Sequence, residues 1–400
     1  MLEIISYKYS IPYVLFILFL TFLMFIEFGQ INKKQGIRYI RYVVIISFSL
    51  FFGLKAFVGR DVFAYYNFFR KLPTIWNWNA NTFFSYHFEI GFRVYALILK
   101  SIFPNFFFFS FVSVLIDAII LDIVIRRYSK YYVLAFIIYT VFYGHIFEME
   151  QIRNAKALML FLLSLKYVSE KKFFLYLILN SIGVLFHYSA ILYLLIYPFL
   201  RRKFSTITYF AIFAMGLTIY FFQIEYIIPL VKFSANILGG TIADKANNYL
   251  TSDIYTRSGF VISFGLVERL ISYLIFCLFF LKKLWDKDPR NIIIVNMYVL
   301  FFISYFYFAE ISIISVRMSA LFVFAYAVLF PNIFYEIKTK LDRRVLLFIL
   351  VVFSSARMAL YTKYIEYSYE NSLFYMSSYQ ERLENTRVSD KYLKGKILRD

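Results

Sequence analysis

The chain has 400 residues, of which 62% are hydrophobic, with a mean hydropathy of +0.68 and a formal charge of +19. Repeated apolar runs near ~20 residues mark a polytopic helical membrane protein and exclude an outer-membrane barrel, whose strands would alternate weakly over about ten residues. The single cysteine, Cys277, sits in an apolar run and excludes an internal disulfide or a thiolate metal cluster.

In chain order, spans are expected at 11–28, 42–58, 106–125, 131–147, 153–168 and 173–187, then at 188–200, 206–222, 260–281, 291–309, 313–334 and 345–361, about twelve transmembrane helices in an all-α fold. The first run lacks a basic n-region and a small-residue cleavage site, so it reads as a retained span rather than a cleavable signal peptide. The stretch 173–200 is too long for one upright crossing, and a break at His187 divides it. Residues 88–103 carry Glu89, Arg93 and Lys100 and end at Pro104, which reads as an amphipathic or re-entrant helix on the outer face. Loops at 59–87 and 223–259 are long enough to hold structure of their own. Residues 1–362 thus form one membrane domain, and 363–400 a polar C-terminal tail that is either an extramembrane helix or a disordered end.

Between the apolar runs, basic clusters alternate with paired polar residues. The clusters Lys33-Lys34-Arg38-Arg41, Arg126-Arg127-Lys130, Lys166-Lys171-Lys172, Arg201-Arg202-Lys203, Lys282-Lys283-Lys287-Arg290 and Lys338-Lys340-Arg343-Arg344 hold 21 Lys/Arg. The positive-inside bias places them in the cytoplasm and accounts for much of the charge without nucleic acid. Asp61, Glu89, Arg93, Glu150, Arg153, His187, Arg257 and Arg317 then fall near the outer face, where any chemistry is expected.

No GxxxxGK[ST], HExxH, CxxC or GxSxG motif is present, so an ATP-driven motor and common metalloprotease, thiol and serine-hydrolase sites are not indicated. His145 and Glu148 share a helix face at i, i+3 spacing, more often a helix-end pair than a metal site. Aromatic residues make up 23% of the chain, but Phe, Tyr, Ile, Lys and Asn rise together, so Phe106-Phe107-Phe108-Phe109 is not read as a cofactor site. What remains is a set of arginines, carboxylates and one histidine at helix ends. Ionisable groups at the edge of an apolar span are costly and mark functional candidates. Arg153 begins an apolar helix three residues after Glu150, Arg317 begins another, and Arg357 lies near the end of the last. Guanidinium keeps its charge and bonds phosphate bidentately, although each arginine could equally snorkel or pair with a carboxylate. Asp117, in mid-span, is a packed polar contact or a relay, and Asp122 is placed as the i, i+4 partner of Arg126.

The order Gly59-Arg60-Asp61-x-x-x-Tyr65, Phe88-Glu89-x-Gly91-Phe92, Arg153-Asn154-x-x-Ala157 and Phe186-His187-x-Ser189-Ala190, with a late Arg317 segment running to Pro331, resembles the EpsG family. These are Wzy-type polymerases of O-antigen, capsule and exopolysaccharide assembly. The likeness runs over roughly residues 10–370; it departs at Asn154, where the family more often has Gln, beside an unexpected Lys156.

The resemblance implies a membrane glycosyltransferase that joins polyprenyl-pyrophosphate-linked repeat units on the outer face of the bacterial inner membrane. Its donor and acceptor would both be undecaprenyl-type lipid-linked oligosaccharides, with a flippase and a chain-length regulator as candidate partners and no cofactor or metal. In that reading Arg60, Arg153 and Arg317 would bind pyrophosphate, and Asp61, Glu150 or His187 would serve the acceptor hydroxyl. Glu89, Arg93, Arg257 and Arg357 would support them. A lipid-linked oligosaccharide flippase or a polymer ligase would need similar arginines, though a flippase would usually show two similar halves. The sidedness is directly testable. In a Cys277→Ala background, cysteines placed at Asn79 and Asn248 should react with an impermeant reagent from outside, and those at Gly36 and Asp286 should not. Outside labelling at Asp286 would reverse the assignment.

Overall fold

The computed structural model describes residues 3–30, 34–238, 264–276, 281, 290–337 and 339–397, and among these it is built of helices. They divide into two compact units, one of residues 1–197 and 326–400, the other of residues 198–325.

In the first unit, α1 (Ile11–Gly29) is followed by α2 (Lys34–Phe48), which continues through a π turn at Ser49–Gly53. Short helices α3 (Val62–Lys71) and α4 (Ala80–Phe84) lead to α5 (Ile90–Ile102) and the long α6 (Phe106–Tyr128). Helix α7 (Tyr132–Tyr139) runs through a second π turn into α8 (His145–Met149), and α9 (Ile152–Ser169) and α10 (Phe173–Phe186) follow. Polar caps fix several starts. Asn105, after Pro104, accepts from Phe107 and Phe108 N–H at the head of α6, and Asn79 accepts from Thr82 N–H at α4. The buried Glu27 carboxylate, from α1, accepts Tyr132 and Val133 N–H at 2.8 and 2.9 Å and so caps α7 from outside it.

The break at His187 falls where the sequence puts it. The expected span 188–200 is a series of short pieces: a 3₁₀ turn at Tyr188–Ala190, α11 (Ile191–Leu195) and α12 (Tyr197–Arg201). Helix α10 has 14 residues, about 21 Å of rise, less than a ~30 Å hydrocarbon core.

The second unit contains α13 (Thr206–Phe221), α14 (Ile227–Leu238), α15 (Phe264–Ile275), α16 (Asn291–Tyr307) and α17 (Ser312–Ala320). Buried Asn296 ties it together, accepting from Tyr209 OH at 2.7 Å and donating to the carbonyls of Phe199, Leu200 and Arg202. Glu310 accepts N–H bonds from Tyr226, Ile227 and Ile228 and caps α14. The chain returns through α18 (Phe324–Glu336) to α19 (Lys340–Thr362) and ends in α20 (Tyr379–Ile397).

Among the described residues, five helices are long and apolar enough to cross a membrane, at 7–29, 35–53, 106–128, 132–149 and 341–362, or up to seven if each of two bent pairs is one span. The chain is a membrane protein. Within the first unit, the basic clusters around Arg41, Arg126 and Lys172 collect at one end. Arg41 Nε and Nη2 grip Asp122 at 2.7 and 2.8 Å, and Arg126 reaches the same carboxylate at 3.1 Å. Arg127 and Lys172 both approach Glu170, and Lys130 N–H donates to Asn332 Oδ1, which lies in the segment Phe324–Glu336. Asp122 is therefore the i, i+4 partner of Arg126 and also a clasp on α2, 81 residues earlier.

Asp122 is buried, so its removal strands two guanidinium groups. Asp122→Ala should cost about 3–5 kcal/mol, read as a lower unfolding temperature in detergent. Arg126→Ala, at the half-exposed partner, should cost about 1 kcal/mol or less.

Candidate functional site

At the opposite end of the first unit an aromatic core forms before any charge is placed. Phe57, Phe63, Phe68 and Phe69 from the segment 57–72 pack with Phe92 of α5 and with Phe106 and Phe109 of α6, all buried. Each such phenyl contributes roughly 1.5–3 kcal/mol over exposure. Phe106 and Phe109 of the Phe106–Phe109 run are buried packing in this core. This core also fixes α5 on its buried face, with Phe92, Ala96, Leu97 and Leu99 inward. A side chain at Gly91 would bring its Cβ within 2.8 Å of the Leu185 backbone, so glycine allows α5 to touch α10 there.

Four of the sequence's motifs meet on this frame. Glu89, buried at the head of α5, takes Arg153 Nη1 at 2.5 Å and Tyr188 N–H at 3.4 Å. The Arg153 guanidinium lies over the Phe88 ring at 4.5 Å and near Tyr65 at 6.0 Å. Its Nε is buried with no acceptor among the described residues, so the ion pair leaves donors unused. His187 ends α10; its Nδ1 accepts Ser189 N–H and lies 2.7 Å from Ser189 Oγ, which bonds Asn154. Asn154 in turn donates to Gln151. His187 thus has the cap role expected of a helix-break histidine.

The second cluster lies around Glu150. Gly59 has φ +91°, which favours glycine, and a Cβ there would sit 3.0 Å from Glu150 Cγ. This close approach lets the next residue, Arg60, donate its N–H to Glu150 Oε1 at 3.2 Å. Tyr367 OH donates to the same oxygen at 2.8 Å. Burial pushes the Glu150 carboxyl above its usual range, the bonds from Tyr367 and Arg60 draw it back, and the Asp61 charge adds to the rise. Asp61 is exposed at the head of α3, and its charge is felt also by Tyr65, which burial raises to about 12.

Beneath the site lies a buried polar layer. Asp117 pairs with Lys156 at 2.6 Å, and Lys156 also bonds Ser113 O, so the mid-span acid and the unexpected lysine answer each other. Lys55 Nζ bonds the carbonyls of Glu148 (2.7 Å) and Phe52 (3.1 Å) and fixes the turn that carries Glu150. His145 and Glu148 do not share a ligand; the first bonds Thr140 O and the second Tyr139 OH.

The C-terminal segment is an ordered arm on this same end. Ser6 donates to Lys363 O, and Ala56 and Gly59 donate to Glu370 O and Glu366 O. Glu366, fully buried, binds Arg60 Nη2 at 2.6 Å and Ser389 Oγ at 2.5 Å. Buried Arg382 donates to the carbonyls of Phe57, Glu366 and Ser368. The tail thus ends in a helix, α20, and its preceding segment brings Tyr367 to Glu150. Sequence reasoning missed Glu366, Tyr367 and Arg382. The one available hint was composition, since Tyr364, Tyr367 and Tyr369 are unusual in a solvated tail.

The remaining expected residues lie elsewhere. Arg60 is half-exposed and paired with Glu366, with Asp390 at 3.5 Å. Arg93 donates to Phe83 O and lies over the Phe83 and Phe84 rings, a loop-holding role. Arg357 sits over Phe142 at 4.7 Å. Arg317 is exposed on α17 in the second unit, and Arg257 lies outside the described residues.

Because Arg382 is buried and holds three carbonyls, Arg382→Ala should release the arm. A cost of about 3–5 kcal/mol raises the open population on the order of a hundredfold or more. Limited proteolysis between residues 368 and 380 should accelerate accordingly, with the bundle itself intact.

No curated protein and no solved structure matches the chain. A family model matches residues 38–380, from within α2 to the start of α20, and so covers the Glu89–Arg153 and Glu150 clusters, though not Arg382 and Ser389 of the arm. The chain belongs to the EpsG family, a membership that suggests an exopolysaccharide-type polymerase.

Proposed function

We propose that this protein is a Wzy-type polysaccharide polymerase of the bacterial inner membrane, with about twelve spans and its site on the outer face. It joins polyprenyl-pyrophosphate-linked repeat units in O-antigen, capsule or exopolysaccharide synthesis. The observation that carries this reading is the meeting of Glu89, Arg153, Glu150, Asp61 and His187 at the end of the first unit opposite the basic cluster around Arg41 and Arg126. Family membership supports the reaction class.

In the reaction, an acceptor hydroxyl oxygen attacks the anomeric carbon of the growing chain. The bond from that carbon to the pyrophosphate oxygen breaks, the lipid pyrophosphate leaves with the electron pair, and the hydroxyl proton passes to a base. Glu150 suits the base. Its Oε1 is held by two donors, while Oε2 has no hydrogen-bond partner among the described residues, and its raised pKa makes it a better proton acceptor than an ordinary carboxylate. His187 is committed to its cap, and Asp61 is too exposed to gain basicity by burial. Arg153, with an unused Nε and flanking aromatic faces, suits the leaving pyrophosphate. Arg60 and Arg317 are further contacts in this proposal.

A deletion strain should carry single repeat units, on the carrier or capped onto the final acceptor, and no long polymer. Long polymer in that strain, with no second polymerase gene, would refute the proposal; polymer left on its lipid carrier would indicate a ligase. Units shielded from external glycosidase would indicate a flippase. In membranes with normal amounts of protein, Glu150→Gln should lower the rate about 10²–10⁴-fold, and Arg153→Lys about tenfold or more through loss of the planar fork. A Glu150 base must be deprotonated, so the rate should rise with pH through a midpoint above the usual glutamate range. Tyr367→Phe removes a bond that lowers this pKa, so its midpoint should move further up. A downward move would exclude Glu150 as the titrating group.

A further inference from the structure

The arm carries one apolar feature that the site does not use. Between Asn371 and Tyr375 it makes a tight turn whose tip is exposed: Leu373 is 65%, Phe374 89% and Tyr375 69% accessible. Along α20 the outward surface is mainly polar, with Gln380, Glu381, Glu384 and Arg387 exposed. Among the described residues, exposed large apolar side chains of the arm are gathered at the tip, with Tyr392 (41%) alone beyond it on α20.

The tip's position is set by backbone bonds to the end of a span. Ser372 N–H donates to Leu54 O at 2.8 Å, Asn371 bridges Lys55, and Tyr369 stacks on Phe51 at 4.4 Å with its hydroxyl on Phe51 O. The span that ends there, residues 35–53, shows an exposed apolar stripe at Tyr39, Val43, Ile46 and Leu50, spaced at helical repeats. On a spanning helix such a stripe faces lipid, and the tip continues it past the helix end.

The turn is also prepared for a dry setting. Its exposed N–H groups are satisfied within the turn: Leu373 N–H by Asn371 Oδ1 at 3.0 Å, and Phe374 and Tyr375 N–H by Asn371 O at 3.1 and 3.0 Å. A loop with open donors would resist entering the headgroup region, and the three most exposed residues of this tip have their N–H groups closed. Phe and Tyr with a flanking Met are the side chains that settle at such a boundary.

We infer that the Leu373–Met376 tip inserts into the bilayer leaflet at the site end, roughly 5–10 Å deep, and anchors the arm to lipid. Lipid acyl chains are its partner. The anchor holds the arm from its outer side, while Glu366 and Arg382 hold it from within. The inference is independent of the reaction proposed above and of which face of the membrane the site occupies.

Spin labelling of the full protein in lipid nanodiscs tests it. In a Cys277→Ala background, nitroxides are placed at Phe374→Cys and, as a guard against local disturbance, at Leu373→Cys; Glu384→Cys on the polar face of α20 is the aqueous control. Oxygen concentrates in lipid and a charged nickel chelate in water, so their collision rates report depth. The ratio of oxygen to nickel collisions should be several-fold higher at 373 and 374 than at 384. A ratio at 373 and 374 equal to that at 384 would overturn the inference by placing the tip in water. Low accessibility to both reagents would overturn it in favour of a protein partner, including a second copy of this chain.

Discussion

Lipid supplies no hydrogen bonds, so a charge inside this bundle must find its counter-charge in the chain itself. The first unit obeys that constraint at three levels. Asp122 with Arg41 and Arg126 closes the basic end, Asp117 with Lys156 crosses the middle, and Glu89 with Arg153 and Glu366 with Arg60 close the other end. Removing either member of a buried pair leaves the other uncompensated, which is more costly than never having built the pair. The pairs therefore fix helix register more firmly than apolar contact does, because apolar side chains can slide past one another in lipid with little penalty.

This constraint shapes what the candidate site can do. An arginine at a membrane edge with no partner would snorkel to water and lose its orientation. Arg153 is held instead by Glu89 and by the Phe88 face, with part of its donor set left over. A positioned guanidinium of this kind can meet a polyanion without first being ordered, the condition under which electrostatic stabilisation costs least at the moment of reaction. Glu150 is the complementary case. Two donors hold one oxygen, and burial raises the proton affinity that a base requires.

Much of the helical framework was legible in the sequence. The Pro104-Asn105 pair announces the start of α6, and the polar His187 in an apolar run announces the break after α10. Glu89 and Arg153, from two of the motifs that carried the family resemblance, meet in space, whereas Glu150, which meets Gly59 of a third, belongs to none of them. The arm was not legible. Arg60 and Glu366 are 306 residues apart, and nothing local in either segment states that they will touch. Asp122 shows the same limit in miniature: its short-range partner Arg126 follows from spacing, whereas Arg41 follows from packing alone. A polar helix such as α20 has no apolar stripe to say what it docks on, because its anchorage is by buried hydrogen bonds from Arg382 and Ser389.

The arm also sets an order in time. Synthesis runs from the N-terminus, so Arg60 and Glu150 leave the ribosome long before Glu366 and Tyr367. The 306 residues from Arg60 to Glu366 take about 15–60 s. Through that interval the early helices can already be inserted, but the carboxylate at the turn after α8 lacks the tyrosine that holds it. The Tyr367–Glu150 contact therefore forms only when this late segment folds back onto the first, where Ile365 N–H meets Ile4 O. Closure of this end becomes a checkpoint on the whole molecule, and a product cut short before Glu366 would occupy the membrane with Arg60 and Glu150 unclasped.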